Sequence, residues 1–177
     1  MKSLKAFGMA LAIMAVSAII TSLAQSSTSK NGSQVAADQS AVAPSWELKD
    51  VNDKTIRSAD FKGKVVILDF WATWCAPCRM EIPGFIALQK KYAQQGLVIV
   101  GASVDESGAS MVKQFMEKLG MNYPVVLTDE KMQDQFGGIE VVPTTFVIDR
   151  EGHIVKKYLS LTDESEFEQE IKPLLNP

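Results

Sequence analysis

The chain has 177 residues, a length that predicts one domain of ordinary size with short additional segments. Hydrophobic residues make up 46% of the sequence and charged residues 22%, which argues against a disordered chain, a collagen-like fibre or a polytopic membrane protein. The formal net charge is -3 and there is no basic block, which argues against nucleic-acid binding. Two cysteines and one histidine cannot build a four-ligand zinc site without carboxylates, so we expect neither a metal nor a cofactor.

The first 24 residues have the pattern of an export signal. Lys2 and Lys5 precede an uncharged stretch over residues 6–24, so a basic region is followed by an apolar one. The sequence Ser-Leu-Ala over residues 22–24 resembles a cleavage site, but the apolar stretch is also long enough to remain as an anchor. A cleaved signal peptide and an inner-membrane anchor over residues 6–24 both stay open. Either one predicts an extracytoplasmic or periplasmic location for the rest of the chain.

Residues 25–43 are predicted to form a flexible linker. This stretch is rich in Ser, Ala and Gln and contains no aromatic residue, so it cannot bury enough apolar surface to order itself. The folded domain is therefore predicted over residues 44–177, which is long enough for one hydrophobic core.

Apolar periodicity and turn residues predict alternating strands and helices across this domain. In chain order we expect a β-hairpin with strands at 46–50 and 54–58, a strand at 65–71, a helix at 79–95, a strand at 97–103, a helix at 109–119, a strand at 123–127, a helix at 130–136, hairpin strands at 144–149 and 154–159, and a helix at 164–175. The order predicts an α/β fold with a central mixed, mostly parallel sheet flanked by helices, with the late hairpin as an antiparallel edge.

The sequence Trp-Cys-Ala-Pro-Cys over residues 74–78 carries the chemistry, because it follows a buried strand and opens a helix. Two intervening residues allow the sulfurs of Cys75 and Cys78 to meet at the first helical turn. The helix N-terminus offers unpaired N–H groups and a partial positive charge, which favour a thiolate. Cys75, expected to be exposed, is the predicted nucleophile, and the more buried Cys78 is the predicted resolving thiol.

Three other interpretations of the two cysteines fit the sequence less well. A purely structural disulfide would close a loop of only four residues, which stabilises a fold by only about 2 kcal/mol. Half of a zinc site lacks a second Cys-x-x-Cys or a histidine pair. Two inert thiols conflict with export, because thiols oxidise outside the cytosol. Redox chemistry is therefore the favoured interpretation.

The sequence VVILDFWATWCAPC, followed by Arg79, Glu81 and Pro83, resembles the thioredoxin superfamily, and within it the TlpA/ResA-type extracytoplasmic thiol-disulfide oxidoreductases. The resemblance covers residues 44–177. It implies a thioredoxin-like fold with an N-terminal β-hairpin and a βα insertion, and a redox-active disulfide between Cys75 and Cys78.

The same resemblance implies a substrate-binding loop with a cis peptide bond between Val142 and Pro143. The backbone of this loop would lie beside Cys75, where an extended substrate segment can pair as an added strand. Trp74 is expected to shape the same surface without a catalytic role. The competing interpretation is a trans proline that merely begins a strand.

Two acidic residues are candidates for proton transfer. Asp69 lies within the apolar strand, where a buried carboxyl group tends to keep its proton and can exchange it with Cys78. Glu81 lies one helical turn after Cys78 and matches a glutamate of the family pattern. The alternatives are an exposed carboxylate at the strand end for Asp69 and a solvated helix residue for Glu81.

The predicted function is reduction of protein disulfides outside the cytoplasm. The resemblance implies apocytochrome c during cytochrome c maturation as a substrate, a membrane thiol protein as electron donor, and a monomer. Three alternatives are a thiol peroxidase of peroxiredoxin type, a disulfide-donating oxidant, and a binding module without enzymatic activity.

Overall fold

The computed structural model of the protein describes residues 41–176. The predicted leader and residues 25–40 of the predicted linker lie outside the described residues. Residues 41–43, which composition places in the linker, pair with the turn around Gly152. The Ala43 N–H donates to the Gly152 carbonyl at 2.8 Å, and the Ile154 N–H donates to the Ala41 carbonyl at 2.9 Å.

The described chain alternates strands and helices in the predicted order. The strands are β1 (Glu47–Lys49), β2 (Thr55–Arg57), β3 (Val65–Trp71), β4 (Leu97–Ser103), β5 (Val125–Leu127), β6 (Thr144–Ile148) and β7 (Ile154–Tyr158). The α-helices are α1 (Ala76–Tyr92), α2 (Ala109–Leu119), α3 (Glu130–Gln135) and α4 (Glu164–Leu175).

Five strands form the central sheet in the order β5-β4-β3-β6-β7, and β1 and β2 form a separate antiparallel hairpin. Strand β3 pairs parallel with β4, and β4 pairs parallel with β5. Strand β6 pairs antiparallel with both β3 and β7. The predicted mixed sheet is confirmed, with β3, β4 and β5 parallel and the hairpin of β6 and β7 as its antiparallel part.

The core has two layers because side chains of a strand point alternately to its two faces. From β3, Ile67 and Trp71 pack against α1, α2 and α4. Leu68 and Phe70 pack on the opposite face of the sheet, in a cluster that includes residues of β2 and α3. All seven residues of β3 are buried, as predicted from its nearly continuous apolar sequence.

Helix α1 begins three residues earlier than predicted, at Ala76 rather than residue 79. Pro77 fits the first turn because its missing N–H needs no partner there. At the other end, Ala93–Gln95 form a 3-10 turn that ends at Gly96, where φ is 98° and glycine is favoured. Strand β5 begins at Val125, two residues later than predicted, directly after Pro124.

None of the helices within residues 41–176 is both long and apolar enough to cross a membrane.

Candidate active site

A disulfide joins Cys75 and Cys78 at the point where β3 gives way to α1, and their Cα atoms are 5.3 Å apart. Cys75 is the residue that caps the helix N-terminus, and its sulfur accepts the backbone N–H of Cys78 at 3.1 Å. This N–H is one of the groups that a helix leaves unpaired in its first turn. The same hydrogen bond and the helix dipole would favour a thiolate at Cys75 once the disulfide is reduced.

The sulfurs are less accessible than the sequence suggests. Cys75 is 4% exposed and Cys78 is fully buried, so the expectation of an exposed Cys75 is wrong for the disulfide form. The Cys75 sulfur lies 3.6 Å from the Val142 carbonyl oxygen, which covers it from the side of β6. The preceding residue, Trp74, is 67% exposed and is the large apolar surface next to the disulfide.

The loop before β6 has the predicted cis peptide bond between Val142 and Pro143. The Thr144 hydroxyl donates to the Val141 carbonyl at 2.7 Å, which fixes the loop at the start of β6. Val141 itself is about half exposed. The loop therefore presents backbone and apolar surface beside Cys75.

Asp69 lies in the core, not at an exposed strand end, and is 2% exposed. The Thr145 hydroxyl donates to its carboxyl oxygen Oδ1 at 3.1 Å across the β3–β6 pairing. Burial raises the pKa of Asp69 from 3.8 to about 7, and the Thr145 hydrogen bond opposes this shift. The oxidised protein can therefore hold a proton on Asp69 close to neutral pH.

Glu81 is also buried, at 4% exposure, and is not the solvated helix residue of the alternative interpretation. Its Oε1 accepts the Thr162 N–H at 2.7 Å, whereas its Oε2 has no hydrogen-bond partner among residues 41–176. Burial raises the pKa of Glu81 from 4.5 to about 8, with a further contribution from the negative charge of Asp69. Once Asp69 has ionised, the second proton is therefore lost at a higher pH.

Asp105 contacts the segment before Cys75 and was not identified from the sequence. Its carboxylate accepts the backbone N–H and the hydroxyl of Thr73, at 2.9 and 2.6 Å. Parallel strands β3 and β4 end at the same sheet edge, so an acidic residue soon after β4 could have been expected near Thr73. Thr162 was also missed, and no sequence pattern links it to Glu81, which is 81 residues away.

An open groove of about 770 Å³ begins at Trp74 and Val142. Acidic residues on its lining come from three different loops and the start of α3, namely Asp105, Glu106, Asp129, Glu130 and Glu140. The described part of the chain contains no group of three or more His, Cys, Asp or Glu residues that could hold a metal ion. The reactive groups that the structure places in this region are the two sulfurs of the disulfide and the two buried carboxyl groups of Asp69 and Glu81.

The position of the disulfide defines the class of protein. So short a loop adds little stability, yet this one lies at a helix N-terminus next to Trp74, which lines an open groove. The same domain holds two buried carboxyl groups whose pKa values are raised to about 7 and about 8. The protein is a thioredoxin-like thiol-disulfide oxidoreductase.

Comparisons with known proteins give the family. A profile of the AhpC/TSA family matches residues 40–157, and the chain belongs to this family. The chain is similar to the thiol-disulfide oxidoreductase ResA of Bacillus subtilis (strain 168), with 43% identity over 124 residues that cover 70% of this chain and 68% of the relative. ResA of Bacillus anthracis is 34% identical over 134 residues, 75% of this chain and 76% of the relative.

Solved structures agree with the family assignment. A thioredoxin-family thiol:disulfide interchange protein from Chlorobium tepidum TLS has a TM-score of 0.73 and 36% identity, and the match covers 80% of this chain and 100% of that one. A DsbF homologue from Corynebacterium diphtheriae has a TM-score of 0.74 and 26% identity, covering 82% of this chain and 96% of that one. The thioredoxin-like fold and the oxidoreductase class inferred from sequence are confirmed.

Proposed function

We propose that the protein reduces disulfide bonds of exported proteins, with Cys75 as the nucleophile and Cys78 as the resolving thiol. The observation that carries this proposal is the environment of the Cys75 sulfur. It accepts the Cys78 N–H at the helix N-terminus and lies 3.6 Å from the Val142 carbonyl oxygen. The first contact favours a thiolate, and the second brings the sulfur beside a backbone that can pair with a substrate.

The reaction starts from the dithiol form. The Cys75 thiolate attacks one sulfur of the substrate disulfide, which forms a mixed disulfide and expels the other substrate sulfur as a thiolate. Cys78 then loses its proton and attacks the Cys75 sulfur, which releases the second substrate thiolate. Two electrons pass to the substrate, and the protein is left with the Cys75–Cys78 disulfide.

Asp69 and Glu81 are proposed to exchange the protons in this reaction. Asp69 accepts the proton of Cys78 directly or through a water molecule, and Glu81 tunes the acidity of the thiols from the same helix. Their pKa values, raised to about 7 and about 8, support these roles because such groups exchange protons readily at neutral pH.

Substrate binding is assigned to Trp74, Val142 and Pro143. An extended segment on one side of the substrate disulfide would pair with the backbone at Val142, as an added strand pairs with a sheet edge. The exposed Trp74 indole would cover the apolar part of the same segment.

The cellular role follows from the leader and the relatives. The leader pattern supports an extracytoplasmic or periplasmic protein, with residues 1–24 cleaved as a signal peptide or residues 6–24 kept as an inner-membrane anchor. The similarity to relatives named as thiol-disulfide oxidoreductases supports disulfide-containing protein substrates. Among these we propose apocytochrome c, with a membrane thiol protein as the electron donor and the protein acting as a monomer.

Reduction of insulin, with dithiothreitol as the electron source, tests the proposal. We expect the wild type to precipitate the insulin B chain and Cys75→Ser to be inactive, whereas Cys78→Ser should accumulate a mixed disulfide with the substrate. Retained activity of Cys75→Ser would contradict the assigned nucleophile. Peroxide consumption without insulin reduction would instead favour the peroxidase alternative.

The direction of electron flow is tested by equilibrating the Cys75–Cys78 pair with glutathione at neutral pH. We expect a reduction potential near that of thioredoxin, about -270 mV, which suits a reductant with an electron supply. A potential close to about -120 mV would mean that the protein donates disulfides instead.

A further inference from the structure

The segment that connects β3 to Cys75 is held in place by the side chain of Asp105, which lies just after strand β4. Asp105 Oδ2 accepts the Thr73 N–H at 2.9 Å, and Oδ1 accepts the Thr73 hydroxyl at 2.6 Å. Asp105 Oδ2 also accepts the Ser103 hydroxyl at 2.9 Å, and the Asp105 N–H donates to Ser103 Oγ at 3.2 Å. Both carboxylate oxygens are therefore occupied, and the carboxylate is fixed relative to β4.

The arrangement holds the backbone immediately before Trp74. Hydrogen bonds to a carboxylate are stronger than those between neutral groups, and two of them converge here on a single residue. Thr73 is thus held by two hydrogen bonds, whereas the next residue, Trp74, is 67% exposed. We call the paired Thr73 and Asp105 the loop clamp.

The sulfurs are positioned by other groups. The Cys75 sulfur accepts the Cys78 N–H and lies 3.6 Å from the Val142 carbonyl oxygen, and the Cys75 N–H donates to the Ala72 carbonyl at 3.1 Å. No hydrogen bond joins Asp105 to either cysteine within the described range. The direct hydrogen bonds of the clamp therefore end at Thr73, the residue before Trp74.

We propose that Asp105 is a positioning residue for substrate recognition, which holds Trp74 through Thr73 at the groove that Val142 also lines. Trp74, Asp105 and Val142 line the same groove, so the clamp fixes one wall of the surface that a protein substrate contacts. The clamp determines how well an extended protein segment binds and leaves the chemistry at sulfur unchanged. This inference rests on the proposed reduction of protein disulfides.

The test compares two substrates of different size in the full chain. Insulin presents a polypeptide to the groove, whereas hydroxyethyl disulfide reaches the sulfurs without needing Trp74. We expect KM for insulin to rise about tenfold in Asp105→Ala and about threefold in Thr73→Val, since the first variant loses every hydrogen bond of the clamp and the second loses only the hydroxyl contact. The kcat for insulin, the rate with hydroxyethyl disulfide and the reduction potential should stay at their wild-type values.

Two further variants make the result specific. Thr73→Ser keeps the hydroxyl and should restore the wild-type KM, which a general loss of packing would not predict. Thr55→Val makes the same Thr-to-Val change on β2, away from the site, and should leave both substrates unaffected. If Asp105→Ala does not fold, the comparison of Thr73→Val with Thr73→Ser decides the question.

The inference is overturned if KM for insulin is unchanged in Asp105→Ala and Thr73→Val. It is also overturned if the rates with insulin and hydroxyethyl disulfide fall by the same factor or the reduction potential shifts, because the clamp would then act on the sulfurs. A wild-type protein that does not reduce insulin would instead refute the proposed function.

Discussion

At the scale of single residues, the buried polar atoms near the disulfide differ in how well they are paired. The Tyr123 hydroxyl is buried and has no hydrogen-bond partner among the residues that the structure describes, although the ring packs edge-on against Phe85. Burial raises the pKa of Tyr123 well above its usual value, and the charges of Asp69 and Glu81 raise it further. The hydroxyl therefore stays neutral, and it is desolvated without compensation.

Tyr123→Phe should stabilise the protein by about 1 kcal/mol, because it removes a buried polar group that has no partner and keeps the aromatic contact. Urea unfolding of the oxidised protein measures the change. Tyr92→Phe is the matched control, since the Tyr92 hydroxyl donates to Glu168 and its loss should destabilise the protein by about 1 kcal/mol. A destabilised Tyr123→Phe would show that the hydroxyl finds a hydrogen bond in solution.

The sequence locates residues whose position depends on local spacing. Asp69 is predicted from the pattern of a buried strand and Glu81 from its spacing of one helical turn from Cys78, and both are buried in the structure. The hydrogen-bond partners of these two residues cannot be predicted in this way, because Thr145 lies 76 residues from Asp69 and Thr162 lies 81 residues from Glu81. Such pairs depend on how strands and loops meet in space, and no periodicity in a single sequence encodes that.

At the scale of elements, Arg150 connects three parts of the fold at the sheet edge opposite the disulfide. Its guanidinium donates to the Gly63 carbonyl at 2.8 Å, before β3, and to the Gln95 carbonyl at 2.9 Å, after α1. It also donates to the Leu174 and Leu175 carbonyls, at 3.3 and 2.9 Å, at the end of α4. The Gln95, Leu174 and Leu175 carbonyls lie at helix ends, where the last turn leaves acceptors without a partner inside the helix.

Arg150→Ala should lower the free energy of unfolding by about 2–3 kcal/mol, since it removes four hydrogen bonds from a charged donor, two of them to the partly buried carbonyls of Leu174 and Leu175. Arg150→Lys should recover only part of this loss, because an ammonium group cannot reproduce the planar set of donors. Chemical unfolding measures both variants, and insulin reduction should proceed at the wild-type rate wherever they are folded. A loss below about 0.5 kcal/mol in Arg150→Ala would mean that water replaces these hydrogen bonds at little cost.

The strands and helices are predictable where they depend on the local sequence, and less so where they depend on residues that are distant along the chain. Strand β3 is predicted with its observed ends, because an apolar run bounded by polar residues identifies a buried strand. The start of α1 is misplaced by three residues, because residues 76–78 lack apolar periodicity and helix capping by Cys75 is not a common pattern. The antiparallel hairpin of β6 and β7 is predicted from the local sequence, but the pairing of β6 with β3 depends on tertiary structure that the local sequence does not specify.

At the scale of the whole molecule, the two buried carboxyl groups make stability depend on pH. In the unfolded chain Asp69 and Glu81 would ionise near 3.8 and 4.5, but in the folded protein their pKa values are raised to about 7 and about 8. Between these limits the folded protein binds more protons than the unfolded chain, so stability falls as pH rises. The stabilising contribution is complete below about pH 4 and is lost by about pH 8.

We therefore expect the free energy of unfolding of the oxidised protein to fall by a few kcal/mol between about pH 5 and about pH 8, since each unit of pKa shift corresponds to about 1.4 kcal/mol. Urea unfolding across this range measures the slope.

The double variant Asp69→Asn, Glu81→Gln keeps an acceptor oxygen for Thr145 and for Thr162 but cannot ionise, so its stability should vary much less with pH. Glu151→Gln, in an exposed turn, should keep the wild-type slope. A wild-type slope of zero, or the same slope in the double variant, would show that these carboxyl groups ionise in the folded protein as they do in the unfolded chain.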